Sequence, residues 1–175
     1  MTAEAIDTSE ELEFELALSG TYWRNPPGFA IYIDDQLVHE DVIQTTSSHI
    51  GLPTEETMTD VDRLSSYHVV SFKHKISAGD HLLRVRFKHK DLMSDTLLQD
   101  GNIVQDLLLT VEKIKVDGVD LAVLVFDESE CVFDQEHLHK GVPTKSLTQN
   151  VTLGYPGEYR LKFSSPFYLW LLERI

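Results

Sequence analysis

Carboxylates are concentrated in one polar stretch of the chain, where they could hold a hard cation. Asp91, Asp95, Asp100 and Asp106, with Asn102, fall between two predicted strands. Calcium takes six to eight oxygen ligands from carboxylates and carbonyls on flexible loops. The spacing is not that of an EF-hand loop. The stretch therefore predicts either a calcium site built from Asp91, Asp100 and Asp106 or a solvated acidic loop.

Basic residues alternate with apolar residues along two neighbouring segments. A hairpin with its turn at residues 77–80 would pair Phe72 with Val85 and Val70 with Phe87. In that register one outward face collects five of the fifteen basic residues: Lys73, Lys75, Arg84, Arg86 and Lys88. Like charges opposed across strands cost up to about 1 kcal/mol per pair. Three interpretations remain open. The first strand, with Glu11, Glu13 and Glu15, covers this face, an acidic partner surface binds it, or it binds a sulfated glycan or nucleic acid.

Aromatic and imidazole side chains supply further candidate binding groups. Tyr22 and Trp23 precede a Pro-Pro-Gly loop, where rings either stack on sugars or partner proteins or pack at the edge of the core. His137 and His139 lie on one face of a strand and could supply two metal ligands, but no third ligand has convincing spacing. A solvated loop is the alternative interpretation of this histidine pair.

Catalytic signatures are missing from the chain, and its composition restricts the partners. There is no nucleophile elbow, phosphate-binding loop, zinc-protease motif or dinucleotide fingerprint, and Cys131 is the one cysteine. We therefore expect a protein that is not an enzyme. The formal net charge of −14 argues against nucleic acid and anionic membranes as partners. The acidic start, Met1 to Glu15, predicts no signal peptide, and no apolar run is long enough to predict a membrane span.

The elements that must position these groups are strands, because the dominant apolar period is two. Leu12, Phe14, Leu16 and Leu18 alternate with Glu11, Glu13 and Glu15. Further strands are predicted at 29–38, 70–87, 107–125 and 151–163, with long polar loops at 44–66, 90–105 and 127–145. Phe167, Trp170 and Leu171 follow helical spacing. The pattern predicts an all-β protein: a single domain over 1–175, folded as a two-sheet antiparallel β-sandwich, jelly-roll-like, with a short C-terminal helix.

Two segments resemble a known family. Gly79, His81, Val85 and Phe87 fit a G-x-H-x-x-x-V-x-F strand, and the run 105–121, QDLLLTVEKIKVDGVDL, fits a later strand that ends in a V-D-G turn. Together they resemble the small calcium-dependent xylan-binding carbohydrate-binding modules. The resemblance implies a sandwich that binds a polysaccharide with calcium at Asp106, assisted by Asp91 or Asp100. The chain departs from the family where it has His89-Lys90 and Leu107-Leu108 in place of polar calcium and sugar ligands.

The C-terminal run, GEYRLKFSSPFYLWLLERI, is similar to the ending of small structural proteins of tailed bacteriophages. This likeness implies a virion component, a capsid decoration or tail accessory made in the host cytoplasm, whose partners are other virion proteins or copies of itself. Docking would use the basic face or the C-terminal segment with Trp170. We therefore predict a non-enzymatic structural or interaction protein without a required cofactor. The alternative is a calcium-assisted carbohydrate-binding module.

Overall fold

Alternating apolar and polar residues place most of the chain in two antiparallel sheets. A computed structural model describes residues 9–44 and 67–175, so the predicted loop over 44–66 lies outside the described residues apart from Gln44. Sheet A contains β1 (Glu10–Thr21), β4 (His68–Ile76), β8 (Leu108–Val116), β9 (Val119–Asp120) and β12 (Thr152–Leu153). Sheet B contains β2 (Gly28–Ile33), β3 (Gln36–Val42), β5 (Gly79–Lys88), β10 (Ser129–His139), β11 (Val142–Thr148) and β13 (Gly157–Ser165).

The order of strands confirms the predicted antiparallel sandwich. Sheet A runs β12-β8-β1-β4 with β9 beside β8, and sheet B runs β11-β10-β13-β5-β2-β3. Three short helices complete the described chain: α1 (Leu92–Asp95), α2 (Leu124–Asp127) and α3 (Phe167–Leu172). The helix predicted at the C-terminus is therefore present as α3. None of the helices in the described ranges has the length and apolar character needed to cross a membrane.

The inward faces of both sheets form one hydrophobic core. Phe14 and Leu16 of sheet A and Phe29 and Val85 of sheet B are almost completely buried. The hydroxyl of Tyr159 is also buried and donates to the Val125 carbonyl at 2.7 Å, which satisfies it inside the core. Burial raises the pKa of the Cys131 thiol to about 12, so the single cysteine stays protonated and is a packing residue.

The predicted hairpin between β4 and β5 is wrong. β4 pairs with β1, whereas β5 pairs with β13 and β2 in the other sheet. The apolar residues that the sequence placed side by side, such as Val70 and Phe87, belong to facing sheets of the core. The chain therefore crosses from one sheet to the other between Ile76 and Gly79. A period of two identifies the inward residues but does not say which strand lies alongside.

Two of the predicted loops and one predicted strand also differ from the structure. Residues 90–105 contain α1 and a separate hairpin of β6 (Leu97–Gln99) and β7 (Asn102–Gln105), and most of 127–145 belongs to β10 and β11. The return arm predicted over 119–125 is a strand only in β9, because α2 begins at Leu124. Local turn signals were correct at Asp117-Gly118, where both residues have positive φ.

The turn between β2 and β3 is tied to β5 by one aspartate. Asp34 Oδ1 accepts from the Leu82 amide at 2.9 Å, and Asp34 Oδ2 lies 2.8 Å from His81 Nδ1. The other ring nitrogen of His81 lies 2.8 Å from the Ser77 carbonyl. Burial by itself lowers the pKa of His81, but these two oxygen partners outweigh it and raise the pKa above its ordinary value.

The raised pKa of His81 predicts a pH-dependent contribution to stability. A raised histidine pKa stabilises the fold fully below the unfolded-state value and loses that effect as pH rises through the folded-state value. We expect His81→Gln to lower the free energy of unfolding most below about pH 6, and to matter least above about pH 8. Urea unfolding across this pH range, with His139→Gln as the control, measures it. A deficit that grows toward high pH would contradict the assignment.

Candidate functional site

The outward face of sheet B carries charged side chains that are fixed against one another. Arg86 of β5 lies opposite Glu158 of β13, and Arg84 lies between Arg160 and Tyr32 on the two neighbouring strands. The alternation that buries Val85, Tyr159 and Leu161 sends these polar residues outward. The strand register therefore fixes the positions of donors and acceptors on this face.

Glu158 is a nearly buried carboxylate between two arginines. It is 6% exposed, although it points away from the core. Its Oε1 accepts from Arg160 Nε at 2.7 Å, and its Oε2 lies 3.7 Å from Arg84 Nη1. The direct opposition of Arg84 and Arg160 would be unfavourable alone, and Glu158 compensates it. Arg84 also lies over the Tyr32 ring, 5.0 Å from its centroid.

Arg86 and Asp134 form a two-pronged ion pair next to Glu158. Arg86 Nη1 and Nη2 donate to Asp134 Oδ1 and Oδ2 at 2.7 and 2.5 Å. Asp134 is the residue at which β10 leaves β13, and its amide donates to the Pro156 carbonyl at 2.9 Å. Parallel N–H···O bonds of this kind fix the orientation of both groups. Within residues 9–44 and 67–175, neither Asp134 oxygen nor the Arg86 Nε–H has a further hydrogen-bond partner, so these groups are available to a ligand.

Two adjoining cavities form an open groove over these pairs. One, of about 520 Å³, lies over Tyr32, Arg84, Arg86 and Glu158. The other, of about 420 Å³, extends toward α1 and residues 134–137 of β10. Lys90, Asp134 and Pro156 line both cavities, so the groove is continuous. It joins the charged row of sheet B to an aromatic end.

The aromatic end of the groove is lined by His137 and Tyr155, with the buried ring of Phe133 behind them. The His137 ring stacks on Tyr155 with centroids 3.7 Å apart, and Phe133 meets His137 edge-on at 4.4 Å. Burial and the nearby His139 lower the pKa of His137, which favours a neutral imidazole. His137 and His139 were considered as metal ligands from their spacing. The ring of His137 instead forms part of an aromatic wall.

The three carboxylates predicted to bind calcium are not brought together. Asp91 caps α1 by accepting from the Met93 amide at 2.9 Å, and Asp100 lies in the exposed turn between β6 and β7. Asp106 pairs with Lys90, whose side chain is completely buried, and also accepts from Thr96 Oγ1 at 2.8 Å. A cation already occupies the coordination space of Asp106, and it is an ammonium group. Calcium would have to displace it.

The five basic residues predicted to share one face are divided between opposite sides of the sandwich. Lys73 and Lys75 lie on sheet A, directly opposite Glu13 and Glu11 of β1. Arg84, Arg86 and Lys88 lie on sheet B, where Lys88 pairs with Glu40. The physical reason is that β4 and β5 are not neighbours. The compensation by the acidic first strand, which the sequence left open, applies to the two lysines.

The predicted aromatic contacts differ in their surroundings. Trp23 is half-buried, donates from Nε1 to the Asp95 carbonyl at 3.0 Å, and has Arg24 over its ring at 4.2 Å. Tyr22 packs against the core. Trp170 was predicted as a docking residue and is only 3% exposed, because it packs on Phe163 and Phe167. The helical spacing that identified α3 therefore marks its buried face.

Sequence reasoning missed four residues that line the groove, namely Tyr32, Asp134, Tyr155 and Glu158, and it also missed Arg160, which pairs with Glu158. Glu158 and Arg160 alternate with buried residues in GEYRLKF, a signal that they point outward together. Asp134 and Arg86 are separated by 48 residues, so no local pattern joins them. Only the neighbouring positions of β10, β13 and β5 bring the pairs into one groove.

No protein-family model matches the chain, and no curated protein matches it. Among solved structures, the chain is similar to a vCBM60 in complex with galactobiose, at 11% identity and a TM-score of 0.43, over 87% of this chain and 97% of the other. It is also similar to a selenomethionine form of vCBM60, described as linking two families of calcium-dependent carbohydrate-binding modules by circular permutation. That likeness has 11% identity and a TM-score of 0.42, over 86% and 89% of the two chains. At such low values, neither likeness indicates the ligand of this chain.

Proposed function

We propose that this chain is a non-catalytic carbohydrate-binding domain that holds a glycan in the groove on the outward face of sheet B. The observation that carries the proposal is the row of mutually fixed arginine–carboxylate pairs, Arg86–Asp134 and Arg84–Glu158–Arg160, along an open groove with an aromatic end. The proposal does not depend on the calcium-assisted site that the sequence suggested.

Sugar hydroxyls need donors and acceptors at the same time, because each hydroxyl both donates and accepts. An arginine beside a carboxylate offers a donor and an acceptor to two neighbouring hydroxyls of one sugar. The pairs are already held by each other and by the strands, so little side-chain entropy is lost when a ligand binds. Tyr155 and Tyr32 add apolar surface with polar tips at the two ends of the groove. Weak, preorganised recognition of a neutral glycan fits this chemistry.

We expect the double variant Arg86→Ala/Asp134→Ala to lose glycan affinity by about tenfold or more, since hydrogen bonds to charged groups are worth roughly 1.5–3 kcal/mol. Removing both partners avoids leaving one charge unpaired. Affinity electrophoresis against a panel of polysaccharides, with xylan as the first probe, and calorimetry with galactobiose measure the loss.

The matched control is Lys113→Ala/Asp120→Ala, which removes an exposed ion pair of 2.8 Å from sheet A. The control should bind as the parent chain does. If the groove variant and the control variant bind the glycan equally well, the glycan does not bind at the Arg86–Asp134 pair. Failure of the parent chain to bind any member of the panel would end the proposal.

The calcium ion remains a prediction and is separable from the groove. Because Lys90 holds Asp106, we expect chelators to leave glycan binding unchanged. A glycan affinity that disappears with EDTA and returns with calcium would support the calcium-assisted form instead. The melting temperature with and without calcium gives an independent reading of whether the ion binds at all.

A second candidate is the structural role in a tailed-phage virion that the C-terminal likeness suggested. The observation in its favour is the β6–β7 hairpin, which exposes apolar side chains on a two-stranded arm: Leu98 is 60% and Ile103 is 59% exposed. Isolated arms of this kind gain stability from a partner. Light scattering of the parent chain and of Leu98→Ser/Ile103→Ser tests self-association, and purification of the native assembly tests for other virion proteins.

A further inference from the structure

The edge of sheet B presents two polar side chains inward, toward the start of β4 in sheet A. In β3, His39 lies opposite Ile31 and Asp41 lies opposite Phe29, so both occupy the inward row of an otherwise apolar face. His68, the first residue of β4, meets them from the other sheet. An edge strand can carry inward charge to prevent further pairing, but that role requires no imidazole from the opposite sheet.

The three side chains converge on one point. Asp41 Oδ2 lies 3.8 Å from His68 Nε2 and 4.0 Å from His39 Nε2, and one ligand atom from each residue lies within 4.8 Å of the others. The buried ring of Phe29 holds both imidazoles, with centroids 6.0 Å from His39 and 5.1 Å from His68. Ligand atoms around a tetrahedral zinc ion lie about 3.3 Å apart, so the three side chains must move toward one another by about 0.5 Å or more to bind an ion.

One nitrogen in this cluster has no partner. His39 Nε2 is buried and has no hydrogen-bond partner within the described ranges, 9–44 and 67–175. A buried polar atom without a partner destabilises the fold, and such atoms are uncommon in folded proteins. An imidazole nitrogen with no hydrogen-bond partner in those ranges, 4.0 Å from a carboxylate oxygen, is a candidate ligand for a cation. The cost is removed when an ion binds.

We propose that His39, Asp41 and His68 form a site for a divalent transition-metal ion of the zinc type, which ties the edge strand β3 to β4. Two imidazoles and one carboxylate suit zinc, with water as a fourth ligand. Calcium is disfavoured, because it requires six or more oxygen ligands. This site is separate from the groove, and its failure would leave the glycan proposal untouched.

Proton placement at His68 defines what the ion must displace. The backbone N–H of Gln44 donates to His68 Nδ1 at 3.0 Å, so the neutral ring carries its proton on Nε2. Metal binding at Nε2 moves that proton to Nδ1 and releases the Gln44 amide to water. Gln44 lies beyond the last residue of β3, so this release breaks no bond of the sheet ladder.

Isothermal titration calorimetry of the chelator-treated chain with zinc chloride tests the site. Substitution with cobalt reports four-coordinate geometry through the visible absorption of the ion. We expect one saturable ion per chain. His39→Gln, His68→Gln and Asp41→Asn should each weaken binding by about tenfold or more. The control is His139→Gln, which changes a histidine at the end of β10, outside the cluster. This variant should bind zinc as the parent chain does.

The proposal is overturned if no saturable binding occurs. It is also overturned if the three ligand variants bind as tightly as the parent, or if His139→Gln abolishes binding. Circular dichroism of each metal-free variant shows whether it is folded, and Asp41→Asn, which keeps the shape of the side chain, preserves a test if a histidine variant unfolds. Zinc should raise the melting temperature of the parent and of His139→Gln, but not of His68→Gln.

Discussion

Lys90→Met is expected to lower the free energy of unfolding by about 3 kcal/mol, because it strands a carboxylate without its cation. The Lys90 side chain is completely buried, and its ammonium contacts Asp106 and donates to the Leu107 carbonyl at 2.9 Å. Breaking a buried pair from one side costs more than the pair itself contributes, since the remaining charge stays desolvated. Among the residues that the structure describes, Asp106 would keep its bonds to Thr96 and the Leu107 amide.

Urea unfolding of Lys90→Met, Asp106→Asn and the double variant measures this coupling. The double variant should lose less stability than the sum of the losses in the two single variants, because it leaves no unpaired charge whereas each single variant leaves one. Lys113→Met is the control: its pair with Asp120 is partly exposed and should matter by less than about 1 kcal/mol. Equal, small losses at Lys90 and Lys113 would show that the pair is solvated in solution.

Gly157→Ala is expected to destabilise the fold by about 3 kcal/mol, at the upper end of overpacking costs. A methyl group at this position would lie 2.3 Å from the Val132 carbonyl oxygen and 2.9 Å from Phe133 Cα. Both obstacles are backbone atoms of the paired strand β10, so no side-chain rotation relieves the clash. The close approach of β10 to β13 therefore requires glycine.

The matched control is Gly154→Ala, where the nearest obstacle is Leu108 Cδ2 at 3.3 Å, the end of a flexible side chain. The control should change the urea midpoint little. Gly157→Ala should also weaken glycan binding, because Gly157 lies between the groove residues Pro156 and Glu158. The distance between β10 and β13 at this point also sets the position of Asp134. A Gly157→Ala chain as stable as the control would mean that the two strands separate at this point without cost.

Individual faces of this protein were predictable from its sequence. The alternation in β1 identified Leu12, Phe14 and Leu16 as buried, and the helical spacing at the C-terminus identified Phe167 and Trp170. Both signals are local, because each depends on side chains a few residues apart along one element. The same locality explains why Trp170 was misassigned to docking: the pattern marks an apolar face without saying what covers it.

The candidate site was predictable only in part. Arg84, Arg86 and Lys88 were recognised as outward-facing, but Lys73 and Lys75 were joined to them through a hairpin that does not exist. The acidic loop was predicted to supply calcium ligands, yet Asp106 pairs with Lys90. The sequence places Lys90 nearby without indicating that its side chain is buried. Burial and pairing of charges depend on which strands become neighbours, and that choice leaves little trace in local spacing.

The amino-acid sequence alone therefore determined the class of fold, the inward residues of most strands, and the absence of a recognisable catalytic motif, since these follow from side-chain period and residue type. Tertiary structure decided the assignment of β4 and β5 to different sheets, the groove built on Arg86, Asp134 and Glu158, and the meeting of His39, Asp41 and His68 at the sandwich edge. These features join residues far apart in the chain. They arise only when the two apolar faces pack and select one strand order among many that the same alternation permits.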